Sequence, residues 1–356
     1  PDSVQNGPAL SVVICSIGSA PVERAVASVV TSATAGGVDV EVIVVWQHAA
    51  PAPPLPGALV LDCFPVGLSY ARNQGAWAAA SDVVAFVDDD EVVDEGWVGA
   101  VLEAFRGAPD AVGVFGEVAP LDDSGIPYCV VTGETRRVFR RRSTPPWVVG
   151  TGGNMAFRRA DLLAIGGFDV ALGAGAPGRA AEESDVIVRL LRRGSTLAWT
   201  PDAVVFHPTK TAAEHLASRR PYGYGIGALV RRRRAAGVGL RYGVATVQSL
   251  LTGVRGHDRR RRREAVRTLL GFVEGLVDLR RPRSPERHLI WMPDDIQRSL
   301  AGRRLRPAYA TYQRQPEFRY TTGDLMVRVS VGRIAELDTA TGVRGRDSVW
   351  TTAPAR

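Results

Sequence analysis

Short apolar runs recur along the first 90 residues of the chain, separated by stretches of mixed polarity. The runs are rich in β-branched residues, which predicts buried strands at 10–15, 40–46, 59–61 and 83–87. Between them, a segment that opens at Pro21 and an alanine-rich segment at 69–80 predict helices. Strands that are apolar without interruption and alternate with helices indicate a parallel sheet in an α/β fold.

The same alternation continues to about residue 210. This part is expected to hold a helix at 159–165, a Gly/Ala loop at 171–181, a helix at 182–193 and short strands at 196–199 and 203–206. Gly194 is expected to cap the second of these helices. After Thr209 the chain becomes rich in Arg, Ala, Leu and Gly, which predicts helices to about residue 281.

The pattern therefore divides the chain into three regions. An α/β domain is expected at 8–210, an Arg-rich helical extension at 211–285 and a segment of mixed character at 286–356, with an alternating strand at 325–331.

Composition changes this picture in one respect, the placement of charge. The 356 residues have an ordinary globular composition with a net charge of +7 and a pI near 9.8. The first part is rather acidic, whereas arginine runs come later, at 140–142, 231–234 and 259–263. This asymmetry argues against a uniformly basic nucleic-acid-binding protein and indicates an acidic half joined to a basic half.

The cysteines and the hydropathy of the chain bear on its location. Cys15, Cys63 and Cys129 lie in apolar contexts without CxxC spacing, which is typical of buried thiols in a reducing cytoplasm. No signal peptide is visible at the start, and no run of about 18 apolar residues occurs. We expect a cytoplasmic protein, with peripheral contact at the inner face of the membrane as an option.

Carboxylates are concentrated at the end of the fourth apolar run. Asp88, Asp89 and Asp90 follow it directly, and Glu91 comes behind them. Unpaired carboxylates repel one another and are costly to bury, so the cluster is either a solvated turn or a site for a divalent cation. Because ligands bind at the carboxyl ends of parallel strands, its position favours the cation site.

Four short motifs, in order and with matching spacing, resemble those of family two glycosyltransferases of the nucleotide-diphospho-sugar (GT-A) type. GLSYARNQG at 67–75 resembles the family's GLSxARNxG segment, and the aspartates at 88–90 resemble its DxD metal motif. GNMAF at 153–157 and GGFD at 166–169 resemble its GNMAFRR…GGFDE stretch. EESD at 182–185 lies where the family has ED-x-D. The resemblance covers residues 9–210.

The resemblance implies a GT-A (Rossmann-like), mostly parallel sheet flanked by helices, with the C-terminal helical extension beside it. It implies inverting transfer of a sugar from a UDP- or dTDP-sugar to a hydroxyl of a glycan, lipid-linked or small natural-product acceptor, dependent on Mg²⁺ or Mn²⁺. The metal ligands would be Asp90, Asp88 and His207. The nucleotide-sugar would contact Ser16, Gln47, Arg72, Asn73, Asp88, Asp89, Gly153 and Asn154.

Inverting transfer needs a base that takes the proton of the acceptor hydroxyl. The family uses the Asp of its ED pair, and the matching residue here is Glu183. Glu182 and Asp185 remain alternatives, because clustered carboxylates can raise one another's pKa. A second departure follows the second strand, where the family has two acidic or amide residues and this chain has Gln47 after Trp46. The choice between uridine and thymidine therefore stays open.

Two other functional classes were compared with a glycosyltransferase. A sugar nucleotidyltransferase shares strand-end carboxylates, but it would carry a Gly- and Arg/Lys-rich signature after the first strand, where this chain has CSIGSAPVER. A non-catalytic nucleotide-sugar-binding protein would lack the metal or base carboxylates, and both are present.

The basic half offers its own alternatives. Residues 222–227 resemble a YGxG segment of the family, and apolar positions between 264 and 279 follow helical spacing. They predict either a helix packed on the catalytic domain or an amphipathic face on an anionic membrane. RNA binding is a third alternative, disfavoured because aromatic residues are sparse among the arginines, so no nucleic-acid partner is expected.

Overall fold

The computed structural model describes residues 7–63 and 66–278, and beyond them only the backbone of six short strands. In the first half of the α/β region the elements are β1 (Leu10–Ser16), α1 (Val22–Ala35), β2 (Val40–Trp46), β3 (Ala58–Asp62), α2 (Leu68–Ala78), β4 (Val83–Asp88), β5 (Val92–Val93) and α3 (Trp97–Gly107). The second half holds β6 (Ala111–Pro120), β7 (Arg137–Phe139), β8 (Met155–Arg158), α4 (Arg159–Ala164), α5 (Glu182–Arg192) and β9 (Thr196–His207).

These strands form one nine-stranded sheet with the order β3-β2-β1-β4-β8-β6-β9-β5, and β7 pairs with β9. The first four strands in this order are parallel. Strand β8 runs antiparallel between β4 and β6, and the short β5 and β7 run antiparallel to β9. The predicted α/β fold with a GT-A sheet is confirmed, although its second half is mixed rather than parallel.

Alternate residues of the central strands face two separate layers of helices. Along β1, Val13 and Cys15 face α2, α4 and α5, whereas Val12 and Ile14 face α1 and α3. A strand that is covered on both faces is apolar at every position, which is why β1 and β2 read as continuous runs. Because β1, β2 and β4 are parallel, their carboxyl ends lie at one edge of the sheet, where Ser16, Gln47 and Asp88 are found.

The predicted elements of this region are present. Helix α3 and strands β5, β6, β7 and β8 were not predicted. The two strands expected at 196–199 and 203–206 are one strand, β9, whose register against β6 shifts between Gly116 and Glu117. Beyond Gly194, whose φ of +85° suits a glycine after a helix, the chain turns directly into β9.

Three helices follow β9: α6 (Ala212–Arg233), α7 (Ala236–Arg255) and α8 (Arg259–Val277). Thr211 begins α6 with a capping box, in which its side chain accepts from the Glu214 amide and the Glu214 carboxylate accepts from the Thr211 amide. Helices α6 and α8 pack backbone to backbone. A Cβ at Gly223 would lie 2.1 Å from the Thr268 carbonyl oxygen, and one at Gly275 would lie 2.1 Å from that of Tyr224.

Within the described part of the chain, every helix is too short or too polar to cross a bilayer. The strands beyond α8 are β10 (Arg287–Leu289), β11 (Tyr309–Thr311), β12 (Glu317–Thr322), β13 (Leu325–Ser330), β14 (Arg333–Leu337) and β15 (Thr352–Pro354). The strand predicted at 325–331 is confirmed as β13. The rest of the region predicted at 286–356 lies largely outside the described residues.

Candidate functional site

The four carboxylates after β4 form a tight acidic turn. The Ser16 hydroxyl donates to Asp89 Oδ2 at 2.5 Å, and the Asp88 amide donates to Glu91 Oε2 at 3.0 Å. Burial is the main reason why the pKa of Asp89 rises to about 6 and the pKa of Glu91 rises well above its ordinary value. Negative charge is therefore costly in this turn, and its own hydrogen bonds do not offset that cost.

Arg72 of α2 crosses the site below this turn. Its guanidinium lies 2.9 Å from Asp88 Oδ1 and 2.7 Å from Glu182 Oε1, and it also donates to the Gly152 carbonyl at 3.0 Å. Burial alone would lower the pKa of Arg72, but the two carboxylates outweigh it and raise the pKa. Arg72 was predicted to contact the nucleotide; here it is 2% exposed and joins the acidic turn to the start of α5.

The start of α5 places three acids in different surroundings. Glu182 is buried against Arg72, and its pKa rises to about 7 because of burial and then the nearby charge of Glu183. Glu183 is half-buried and accepts a hydrogen bond from the Ser184 hydroxyl at 2.9 Å. Of the three candidate bases, only Glu183 is both accessible and free of an ion pair among the described residues.

Asp185 lies on the other side of α5, within a network of ion pairs. Its carboxylate accepts from Arg189 Nε at 2.7 Å and from Arg233 Nη2 at 3.1 Å, and it is fully buried. Arg233 and Arg232 also bind Asp169, at 2.8 and 2.9 Å. Since its oxygens are held by arginines, Asp185 is not free to act as a base, and it fastens the end of α6 to α5.

This network predicts a stability effect at Asp169. Burial raises the pKa of Asp169, but Arg232 and Arg233 outweigh it, so the pKa is lowered. We expect Asp169→Asn to lower the free energy of unfolding by about 3 kcal/mol at neutral pH, because two arginines lose a buried charge partner. A lowered pKa stabilises the fold above about pH 4, so the difference from wild type should shrink as the pH falls below that value.

Urea unfolding of both proteins across this pH range measures the difference. Asp202→Asn is the matched control, because Asp202 pairs with Arg136 at an exposed position and its loss should cost less than about 1 kcal/mol. Equal stability of Asp169→Asn and wild type at neutral pH would contradict the role of the network.

His207, at the end of β9, lies on the far side of the acidic turn. Its Nδ1 is 2.7 Å from the Pro208 carbonyl oxygen, which can only accept, so Nδ1 is the donor in this hydrogen bond. The pKa of Asp90 is raised by burial and by Asp88, and charge on His207 and Lys210 partly offsets this rise. Strand β5, which begins two residues after Asp90, pairs with the end of β9 at Phe206, so the fold brings Asp90 and His207 to the same part of the site.

The residues present fit a divalent cation that is shared with a ligand. Within 7–63 and 66–278, no group of three or more His, Cys, Asp or Glu side chains is arranged to hold a metal ion. Mg²⁺ is commonly held by one or two carboxylates together with substrate phosphates, so a complete protein cage is not required. Asp90 and His207 would supply protein ligands, with Asp88 beside them.

Three of the predicted nucleotide contacts, which stay predictions, make hydrogen bonds within the protein in this structure. The Asn73 amide exchanges two hydrogen bonds with the backbone of Phe168, at 2.8 and 2.7 Å. The Asn154 amide binds the carbonyls of β6 and β9 and accepts from the Trp97 indole. Gln47 is buried and donates to the Gly67 carbonyl at 3.2 Å. These amides hold loops in place, because their polar atoms are already paired.

Gly153 has a steric role in the site. A Cβ at this position would lie 2.1 Å from Glu91 Oε1, so only glycine leaves room for the buried carboxylate.

An aromatic and basic cluster beside His207 was not predicted. The Tyr128 ring lies 5.2 Å from the His207 ring, and its hydroxyl hydrogen-bonds to Tyr222 of α6. The Lys210 ammonium lies 3.3 Å from the centre of the Tyr128 ring, and the Arg219 guanidinium lies 5.9 Å from it. Tyr222, in the YGxG-like segment, is the only member that the sequence marked.

Comparison with known proteins agrees with this geometry. Residues 64–166, which include Arg72 and the acidic turn, match the sequence model described as glycosyl transferase family 2. A glucosyl-dolichyl phosphate glucuronosyltransferase from Haloferax volcanii is 31% identical over 150 residues, which are 40% of this chain and 47% of that protein. The succinoglycan biosynthesis protein ExoM from Rhizobium meliloti is 29% identical over 169 residues, 46% of this chain and 52% of that protein.

The chain thus spans about half the length of these curated relatives. Among solved structures, the mannosyltransferase PcManGT from Pyrobaculum calidifontis, in complex with GDP-Man and Mn²⁺, superposes with a TM-score of 0.51. The superposition covers 77% of this chain and 89% of that chain at 15% identity, so the likeness concerns the fold.

Proposed function

The chain carries a family 2 glycosyltransferase domain with a GT-A fold, and on that premise we propose that it transfers a sugar from a nucleoside-diphosphate donor to an acceptor hydroxyl with inversion. One observation carries the proposal. An accessible carboxylate, Glu183, starts α5, and Arg72 ties that start to the acidic turn that would face a diphosphate. Glu182, the neighbour of the proposed base, and Asp88, in the acidic turn, are thereby held by the two terminal nitrogens of one buried guanidinium.

Each residue has a distinct task in this mechanism. Glu183 accepts the proton of the acceptor hydroxyl as the oxygen attacks the anomeric carbon. Arg72 fixes the distance between Glu182 and Asp88, and therefore between the base and the donor. Asp90, with His207 and Asp88, would hold Mg²⁺ or Mn²⁺, which when bound neutralises charge on the departing diphosphate. Ser16 orients Asp89 within the turn.

The sequence favours a uridine or thymidine donor, whereas the PcManGT structure was solved with GDP-Man, so all three bases belong in a test. Among the relatives, one is named for transfer to a glucosyl-dolichyl phosphate. We propose an acceptor that is a glycan, a lipid-linked sugar or a small natural product, used with peripheral contact at a membrane.

A donor screen tests the proposal directly. The protein is incubated with UDP-, dTDP- and GDP-sugars and Mn²⁺, and release of nucleoside diphosphate is followed with and without a chelator. We expect release from one donor class that stops when the metal is removed. Release of pyrophosphate from a nucleoside triphosphate and a sugar phosphate would instead show a nucleotidyltransferase. Tight donor binding without any release, with each class of acceptor present, would show a non-catalytic binding protein.

A further inference from the structure

In the helices after the catalytic domain, glycines line the contact between α6 and α8, and a row of large aliphatic residues is exposed. Helices α6 and α8 meet at glycines spaced four apart, Gly223 and Gly227 on one and Gly271 and Gly275 on the other. A Cβ at any of them would lie within 2.2 Å of a carbonyl oxygen of the opposite helix. Close backbone contact through small residues is typical of helices that pack in lipid rather than in water.

The outer side of this layer is aliphatic. Of 16 large apolar side chains that are exposed among the described residues, nine lie on α7 and α8. They follow helical spacing on each helix, at Leu240, Val244, Val247, Leu251 and Val254 and at Val266, Leu270, Val273 and Val277. We call these nine side chains the aliphatic face. The prediction of a packed helix at 264–279 thus covers only part of what α8 does, because Leu269 and Leu276 pack inward whereas its four residues in the aliphatic face are exposed.

Arginines border the aliphatic face. The described residues 211–278 contain 14 arginines and five carboxylates, and five arginines run consecutively from 259 to 263 at the start of α8. Arg255, Arg259, Arg261, Arg263 and Arg267 make no ion pair with any residue that the structure describes. An exposed aliphatic surface with an unpaired cationic border complements an anionic lipid surface. The aliphatic side chains can enter the acyl-chain region, and the anionic head groups attract the arginines.

We propose that the aliphatic face docks this protein on an anionic membrane, with α7 and α8 lying in the interface and the catalytic domain above them. Two copies meeting at this face would bring the arginine borders together, and the repulsion disfavours self-association. The face has no aromatic residue on which nucleic-acid bases could stack. Charge complementarity therefore favours lipid, rather than a second copy of the chain or a nucleic acid, as the partner of the aliphatic face.

Docking in this way would connect the membrane to the candidate site. Helix α6, which packs on α8, reaches the site near its middle, where Tyr222 hydrogen-bonds to Tyr128 beside His207. The C-terminal end of α6 is fixed to α5 through Arg233, which binds Asp185. A membrane that is bound by α7 and α8 would thus have a fixed orientation relative to Glu183 and the acidic turn.

Vesicle flotation of the full chain tests this proposal without any substrate. We expect the protein to partition onto vesicles of phosphatidylcholine and phosphatidylglycerol at least about tenfold more strongly than onto phosphatidylcholine alone, and less so at high salt. The double variant Leu251→Glu with Leu270→Glu should lose about tenfold or more of this binding, because two charges enter the apolar contact. Val30→Glu with Val138→Glu, at exposed aliphatic positions outside the face, is the matched control.

Light scattering of the same proteins measures their oligomeric state, and thermal unfolding shows whether the variants are folded. Binding that is lost in the Leu251/Leu270 variant and kept in the control, with both variants folded and monomeric, supports membrane docking. No binding of the wild type to anionic vesicles overturns it, whether residues 279–356 or another molecule covers the face. A wild-type dimer that the Leu251/Leu270 variant abolishes also overturns it and makes the face a self-interface. Nucleoside diphosphate release in solution reports separately on the proposed enzyme.

Discussion

Glu183→Gln is expected to lower the rate of sugar transfer by about 10² to 10⁴-fold while donor affinity stays close to that of wild type. Glutamine keeps the size of the side chain and can still accept from the Ser184 hydroxyl, but it cannot take the acceptor proton. The structure supports this choice of base, because Glu183 is the half-buried acid of the three at the start of α5. Single-turnover transfer with the donor found by screening, together with titration of the donor, separates the two effects.

The neighbouring acids provide the controls. Glu182→Gln weakens the contact with Arg72 and should affect both donor binding and turnover, whereas Asp185→Asn removes a partner of Arg189 and Arg233 and should act on stability. If Glu183→Gln turns over at the wild-type rate while Asp185→Asn is folded and inactive, the base is misassigned. If all three variants transfer sugar at the wild-type rate, no carboxylate of this helix is the base.

Asp90→Asn is expected to weaken Mn²⁺-dependent binding of a nucleoside diphosphate by on the order of 10²-fold or more. The amide would remove the charge that is proposed to attract the cation, and it would leave His207 as the remaining proposed ligand on that side of the turn. In the presence of a chelator the two proteins should bind the nucleotide equally weakly. Calorimetric titration with UDP, dTDP and GDP, with and without Mn²⁺, gives all of these affinities.

Glu95→Gln is the matched control for this experiment. It removes one negative charge from the same segment at an exposed position, so it reports the general electrostatic effect of the segment on a charged ligand. Loss of affinity in Asp90→Asn that equals the loss in Glu95→Gln would show that Asp90 acts only through net charge and is not a ligand.

The fold was predictable where burial leaves a simple pattern. Strands β1, β2 and β4 are covered on both faces and are therefore apolar throughout, which the sequence shows directly. Strand β9 was divided in two because Pro201 and Asp202 interrupt its apolar pattern, although pairing with β6 continues on both sides of them. Strand β7 is short and largely exposed, so it offers no pattern, and its existence depends on pairing with β9.

The candidate site was predictable at the level of motifs but not of side-chain direction. A motif shows that Asn73 and Asn154 belong near the site, but not whether an amide faces the ligand or a backbone carbonyl. Arg72 and Glu182 are 110 residues apart, so their ion pair depends on how α2 and α5 meet across the sheet. Tyr128 and Lys210 lie in irregular segments without periodicity, and only the tertiary fold brings them beside His207.

The ion pairs between Asp169, Asp185 and the end of α6 have a practical consequence for dissecting this protein. A fragment that ends at residue 210, where composition changes, would contain both buried aspartates but neither Arg232 nor Arg233. Asp169 would then have to take up a proton or draw in water, and the loop before α5 would loosen together with it. Shortened versions should therefore keep α6 through Arg233, since the change in composition near residue 210 is not a place where the folded protein can be divided.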